Sequence, residues 1–248
     1  LHPEVDFGGA ANGAYGGVLG QALDWVRRSI DGDAVPSGIT CFVMHEGWRE
    51  LASWPPPADV VELHLSPGRA LGRSQAVVND VIHHDPNDPV PTRGGRVLGP
   101  FLPLPGPVDQ RPVEGRDDVL VYTTEPLADD LVVLGMVEAD ITIASSGASA
   151  DVAVKLCDVY PDGRSINVVD SIRRVDVQAG VSVTAHVLVG STGYRFRAGH
   201  CLRIEVAGSN TPRFDVNPST GEPPGTAQAQ RRAEHTVMSG TVRLPVPR

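Results

Sequence analysis

The rhythm of hydrophobic and polar positions changes once along this chain. From Asp118 onward, apolar residues fall in short runs at 119–124, 131–145, 151–160, 164–177, 181–190, 201–208 and 235–246. Val, Ile and Thr dominate these runs, and Gly, Asp, Asn and Pro punctuate them. In the run at 151–160, Val152, Val154 and Leu156 alternate with Ala153, Lys155 and Cys157. That period of two gives a strand two distinct faces. No helical run competes with these segments, so the pattern predicts an antiparallel β-sandwich of the jelly-roll type. Between two of the runs, Pro161-Asp162-Gly163 reads as a hairpin turn. Proline presets φ at the first corner, and Asp-Gly tolerates the positive φ that closes the turn.

Upstream the rhythm differs. Leu19, Ala22, Leu23, Val26 and Ile30 recur at helical spacing, and Asp31-Gly32-Asp33 stops that helix. Gly38–Met44 is a continuous apolar run of strand length, as expected of a strand buried on both faces in a parallel sheet. Helix followed by buried strand is α/β grammar, but one such unit cannot make a doubly wound sheet. Residues 1–70 are therefore predicted to hold a remnant of a larger α/β domain and a connecting segment, with the jelly roll over 71–248. Trp54-Pro55-Pro56-Pro57 is a stiff extended element, 60–66 a short strand, and 85–107 a loop rich in Pro and Gly.

Composition narrows the partners. The chain has 248 residues, 41% of them apolar, and a net charge of −9. Basic residues cluster no further than pairs such as Arg27-Arg28, Arg173-Arg174 and Arg231-Arg232, which argues against nucleic acid. No apolar run approaches the roughly 20 residues that span a bilayer, and no signal-peptide pattern stands at the start. A soluble protein is expected, with the cytoplasm as the favoured compartment. The chain opens on Leu1-His2-Pro3 without methionine, as a processed, designed or partial polypeptide would.

Candidate chemistry is sparse. Cys41, Cys157 and Cys201 are read as buried small hydrophobes. His83 and His84 on an extended segment point to opposite sides, which disfavours joint metal ligation beside Asp85. Met44-His45-Glu46 follows a buried strand, where α/β sheets present functional groups, although a hydrogen-bonded structural role accounts for it. His186 and His200 are read as satisfied sheet residues. Turn chemistry accounts for Asp158, Asp162 and Asp170 without calcium. No zinc-ligand spacing is present, so no metal or cofactor is expected. Arg213, Asp215 and Asn217 form a polar cluster that either pins its own loop or docks the β-domain on a neighbour.

Several strings identify a relationship. Asp6-Phe7-Gly8, Leu23-Asp24-Trp25, Phe42-Val43-Met44, Gly47-Trp48-Arg49 and Trp54-Pro55-Pro56 come first. Asp85-Pro86-Asn87-Asp88-Pro89-Val90-Pro91 through Gly94-Gly95, Gly106-Pro107 with Asp109-Gln110-Arg111, and Asp117-Asp118-Val119-Leu120 follow. The hairpin at 152–169, Pro212-Arg213-Phe214-Asp215 with Asn217-Pro218, and Leu244-Pro245-Val246 complete the order. The whole resembles the C-terminal part of the serine hydrolases that group X-Pro dipeptidyl-peptidases, cocaine-esterase-like (CocE/NonD) enzymes and α-amino-acid ester hydrolases. The resemblance implies an α/β-hydrolase domain with a helical cap and a galactose-binding-like jelly roll behind it. Catalysis would use a serine, a histidine base and an aspartate that orients it.

No Gly-x-Ser-x-Gly elbow occurs in this sequence. His2, just ahead of Asp6-Phe7-Gly8, would be the base histidine of the resemblance only across a very short intervening loop, and a surface histidine at the terminus is the favoured reading. The chain alone is therefore expected to be inactive and to need a missing α/β-hydrolase domain, on the same parent chain or a second polypeptide. By position in the resemblance, Ile141 and Thr142 are expected to wall the substrate pocket. Arg213, Asp215 and Asn217 are the docking candidates. A stand-alone galactose-binding-like module for carbohydrate or protein is the alternative, though 5% aromatic residues offer little for sugar stacking. Exposure of the apolar residues between 19 and 44 would also favour homo-oligomers.

Overall fold

The computed structural model describes residues 14–33, 38–97, 105–178, 180–223 and 225–248. Helix α1 (Ala14–Asp31) leads, followed by strands β1 (Ile39–Val43) and β2 (Gly47–Leu51). Then come β3 (Ala58–Ser66), β4 (Ala70–Gly72), β5 (Asp80–His84), the short helix α2 (Arg111–Glu114) and β6 (Val119–Thr123). Six more strands complete the chain: β7 (Leu131–Ser145), β8 (Ser149–Val159), β9 (Ser165–Asp176), β10 (Val183–Phe196), β11 (Cys201–Ala207) and β12 (Ala233–Pro247).

Ten strands join in one sheet of order β10-β7-β12-β3-β4-β6-β11-β8-β9, with β5 added beside β12. Nearly every pairing is antiparallel; β4 and β6 meet in parallel at Ala70↔Thr123. The sheet folds over at that corner, and its end strands β9 and β10 pack on each other. The result is a nearly closed jelly-roll sandwich. Inward-facing Leu65, Leu120, Val133, Ile141, Leu156, Phe196, Ile204 and Leu244 fill its core. Each such side chain contributes about 1.5–3 kcal/mol by leaving water.

The alternation in β8 has a sharper meaning than a wet and a dry face, because all eleven of its residues are buried. Val152, Val154 and Leu156 point into the main core. On the other side Ala153 packs with Val90, Val119 and Ala207, under the loop-rich stretch that the sequence left as irregular. The turn at 161–163 forms as expected: the Gly163 N–H donates to Tyr160 O at 2.8 Å, and Gly163 takes φ 85°.

Upstream of the sandwich the structure departs from the sequence reading in two ways. The apolar run Gly38–Met44 does not enter a parallel sheet: β1 pairs antiparallel with β2 in a separate two-stranded ribbon. Within β1 only Val43 is fully buried. The boundary expected at 70/71 falls inside the sandwich sheet, because β3 pairs with β12 from Ala58↔Pro247 to His64↔Thr241. Helix α1 does form, but it leaves Leu23, Trp25, Val26 and Ile30 exposed.

Candidate functional site

The β1–β2 loop is stitched to the sandwich at β10. Met44 N donates to Gly193 O at 2.9 Å, and Arg195 N donates to Met44 O at 3.0 Å. A Cβ at Gly193 would lie 3.1 Å from Phe42 O and 3.4 Å from Cys41 Sγ, so glycine permits this close approach. The next residue, His45, sits at φ 66°, a left-handed conformation uncommon outside glycine. That conformation aims its ring back at the sandwich.

There His45 Nε2 lies 3.0 Å from Tyr194 Oη. Tyr194 Oη donates in turn to Asp158 Oδ2 at 2.9 Å. The tyrosine oxygen is then left to accept from His45 Nε2–H. His200 Nδ1 meets the same carboxylate at 2.9 and 3.1 Å. Tyr160 completes the group, with Oη 3.4 Å from His45 Nε2 and its ring 4.4 Å from that of His200. Burial pushes the His45 pKa down, and Arg197 adds to the effect. Burial together with Asp158 pushes the Tyr194 phenol far up. The network thus runs neutral imidazole, neutral phenol, carboxylate, histidine. It borders a cleft of ≈460 Å³ floored by Phe42, Met44, Pro107 and Ile166.

This arrangement can bind and orient, but it holds no nucleophile. A serine does meet a histidine elsewhere, where Ser145 Oγ lies 2.9 Å from His235 Nδ1. That pair is sealed, with His235 1% exposed and its Nε2 without a hydrogen-bond partner. Burial holds the His235 pKa at about 4, too low for a base at neutral pH. The pair also lacks the third group that would orient an imidazole.

Glu114, Cys157 and Glu205 gather potential metal-ligand atoms within 4.8 Å of one another. The donor set does not suit a cation. Lys155 Nζ already donates to Glu205 Oε2 at 2.8 Å and to Gln110 Oε1 at 2.7 Å, and Arg203 donates to Glu114 Oε2 at 2.6 Å. The two carboxylates are therefore matched by two cations, and burial pushes the Cys157 thiol well up, away from thiolate. This cluster clamps α2 over β8 and β11. A second, polar cleft of ≈510 Å³ lies beside β5 and β12. Its charges are largely paired with one another, as in Arg116–Asp88, Arg116–Asp118 and Arg232–Asp85. His83 and His84 do face opposite ways: His83 lies at the surface 3.6 Å from Glu234, and His84 Nε2 is buried 2.9 Å from Asn217 O.

The structure distributes the other sequence candidates as follows. Arg213 ion-pairs with Asp170 and lies 4.8 Å over the Phe214 ring. Asn217 is buried; its Oδ1 accepts from Ser149 and from Ser219 N, and its Nδ2 donates to Asp151. Both therefore pin their own loop, and Asp215 alone of that trio is exposed. Ile141 lies in the core, whereas Thr142 is half-buried on the opposite face, 2.9 Å from Thr184. His2 lies outside the described residues. The His45–Tyr194–Asp158–His200 network escaped the sequence reading as a unit. Its one local signal was a polar His-Glu pair straight after an apolar run.

Comparison with known proteins adds the context. The family model for the X-Pro dipeptidyl-peptidase C-terminal non-catalytic domain matches residues 27–243. The cocaine esterase of Rhodococcus sp. (strain MB1 Bresler) is 33% identical over 219 residues, covering 79% of this chain and 38% of that protein. An α-amino-acid ester hydrolase structure superposes with a TM-score of 0.75 at 25% identity, over 90% of this chain and 44% of its own. An aminopeptidase from a marine-sediment Thaumarchaeota archaeon gives 0.79 at 24% identity, over 93% of this chain and 43% of its own. The chain thus spans about two fifths of the length of each of these relatives.

Proposed function

We propose, since this chain belongs to the X-Pro dipeptidyl-peptidase C-terminal non-catalytic domain family, that it serves as the accessory β-domain of a serine hydrolase. The intact enzyme cleaves an acyl ester or amide. Its serine attacks the carbonyl, an acyl-enzyme forms, and water releases the acid. Serine, base and orienting aspartate reside on an α/β-hydrolase domain that this chain supports. The esterase relative at 33% identity favours an acyl ester over an X-Pro peptide bond.

One observation carries the reading. Leu23, Trp25, Val26 and Ile30 of α1 stand exposed while the sandwich closes its own core. An amphipathic helix with its apolar side in water calls for a partner surface, and the α/β-hydrolase domain supplies it. Of the other contact candidates, Asp215 and Thr142 offer side-chain atoms at the surface. Arg213, Asn217 and Ile141 act from behind, by fixing the loop and strand.

The test is turnover of a chromogenic acyl ester. The chain alone is expected to give none, and supplying the α/β-hydrolase domain of the parent protein is expected to restore it. Turnover by this polypeptide alone, abolished by no known serine reagent or by one acting on its own residues, would sink the assignment.

A further inference from the structure

The cleft beside the β1–β2 loop holds a charge that the docking role does not use. Arg197 borders it, and its guanidinium makes no hydrogen bond or ion pair with any described residue. The carboxylates within reach are committed elsewhere. Asp130 feels the Arg197 charge but is held by Arg195 at 2.6 Å and by the Ala198 N–H at 2.8 Å, and Asp158 is taken up by Tyr194 and His200. Glu46, at the cleft edge, is paired with Arg49 at 2.6 Å. His45 adds no charge, because burial keeps its imidazole neutral. Tyr194 directs its proton to Asp158.

What remains is one planar guanidinium with no ion-pair partner among the described residues, beside a pocket whose apolar lining is Phe42, Met44, Pro107 and Ile166, with the Tyr160 and Tyr194 rings and Glu46 around them. Guanidinium matches a carboxylate bidentately. A phosphate monoester carries up to two charges and would want a second cation, which the described residues do not supply. The volume of ≈460 Å³ lies in the range of small-molecule sites. The left-handed backbone at His45 also marks a loop held in an unusual conformation, as functional loops are. We propose that this cleft binds a small apolar or aromatic monocarboxylate, with the carboxylate on Arg197 and the body against Phe42, Met44 and Ile166.

The 248-residue chain is titrated by calorimetry with 3-phenylpropionate and with its neutral isostere 3-phenylpropionamide. The acid is expected to bind in the millimolar range or tighter, and about tenfold more tightly than the amide. Arg197→Met is expected to bring the acid down to the level of the amide. Arg248→Met, which removes an exposed guanidinium paired with Asp59 and absent from this lining, is expected to change nothing. Equal binding of acid and amide, unchanged binding of the acid by Arg197→Met, or no binding of the acid at millimolar concentration would overturn the proposal. The readout is binding, so any of these results leaves the hydrolase assignment standing, and turnover by the chain alone leaves this one standing.

Discussion

Single buried polar residues give the sandwich its sensitivity to pH and to substitution. The folded His235 takes up a proton only near pH 4, chiefly because it is buried, whereas the unfolded chain does so near its ordinary 6.5. Between those values the unfolded state binds more protons. Stability from this residue is therefore whole above about pH 6.5 and lost as pH falls toward 4, on the order of 3 kcal/mol in all. Urea unfolding at intervals across that window is expected to show His235→Gln with the shallower dependence of stability on pH; parallel curves would refute it. Lys155 and Glu205 make the second case. Glu205→Gln strands a buried ammonium and is expected to cost about 3–5 kcal/mol, while Lys155→Met with Glu205→Leu recovers most of the loss. Denaturation midpoints of the single and double variants measure both. The sequence showed Lys155 alternating with apolar neighbours, yet not its partner fifty positions away. A long-range ion pair leaves no local pattern.

At the scale of elements, the strands were legible wherever alternation met turn residues. The expected segments 131–145 and 119–124 match β7 and β6 closely, because Val-rich runs bounded by Gly, Asp and Pro have few other solutions. Short elements such as β2 and β5, and the pairing of β1, were not legible. β2, Gly47–Leu51, alternates Trp48 and Glu50 with half-buried residues in a run too short to stand out. β5 hides in a polar stretch and exists through its pairing with β12. β1 looked like a parallel core strand because Ile39–Val43 is apolar except at Thr40, and composition does not specify the direction of a partner. The β1–β2 ribbon rests on β10 through the gap at Gly193. Gly193→Val is expected to lift that ribbon. Amide exchange at Met44 and Arg195 should speed up by about tenfold or more, corresponding to at least 1.4 kcal/mol of lost local protection. The amides of β8 should keep their rates; uniform acceleration would show a global rather than a local effect.

For the whole molecule, the exposed side of α1 is the outstanding imbalance. Without an α/β-hydrolase partner, that side is expected to find another copy of itself. Sedimentation of the isolated chain should reveal reversible self-association, and Leu23→Glu with Ile30→Glu should weaken it by about tenfold or more without altering the unfolding midpoint of the sandwich. Monomers at all concentrations would show that the helix is tolerated in water. Family kinship was the most legible property of all, carried by loop strings in a fixed order. The network around Asp158 was the least legible, since His45 and Tyr194 stand 149 positions apart.

The pairing of β3 with β12 has a further consequence. Ala58 lies opposite Pro247, and the Arg248 N–H reaches Pro57 O, so the start of β3 and the end of β12 meet at one spot. Paired strands run about 5 Å apart, a gap that a few residues bridge. A circularly permuted polypeptide, sealed between 247 and 58 and opened at the exposed turn around Asp162, should fold to the same sandwich. In gene architecture, a body with such neighbouring ends can be inserted into a loop of another protein as readily as appended to its terminus.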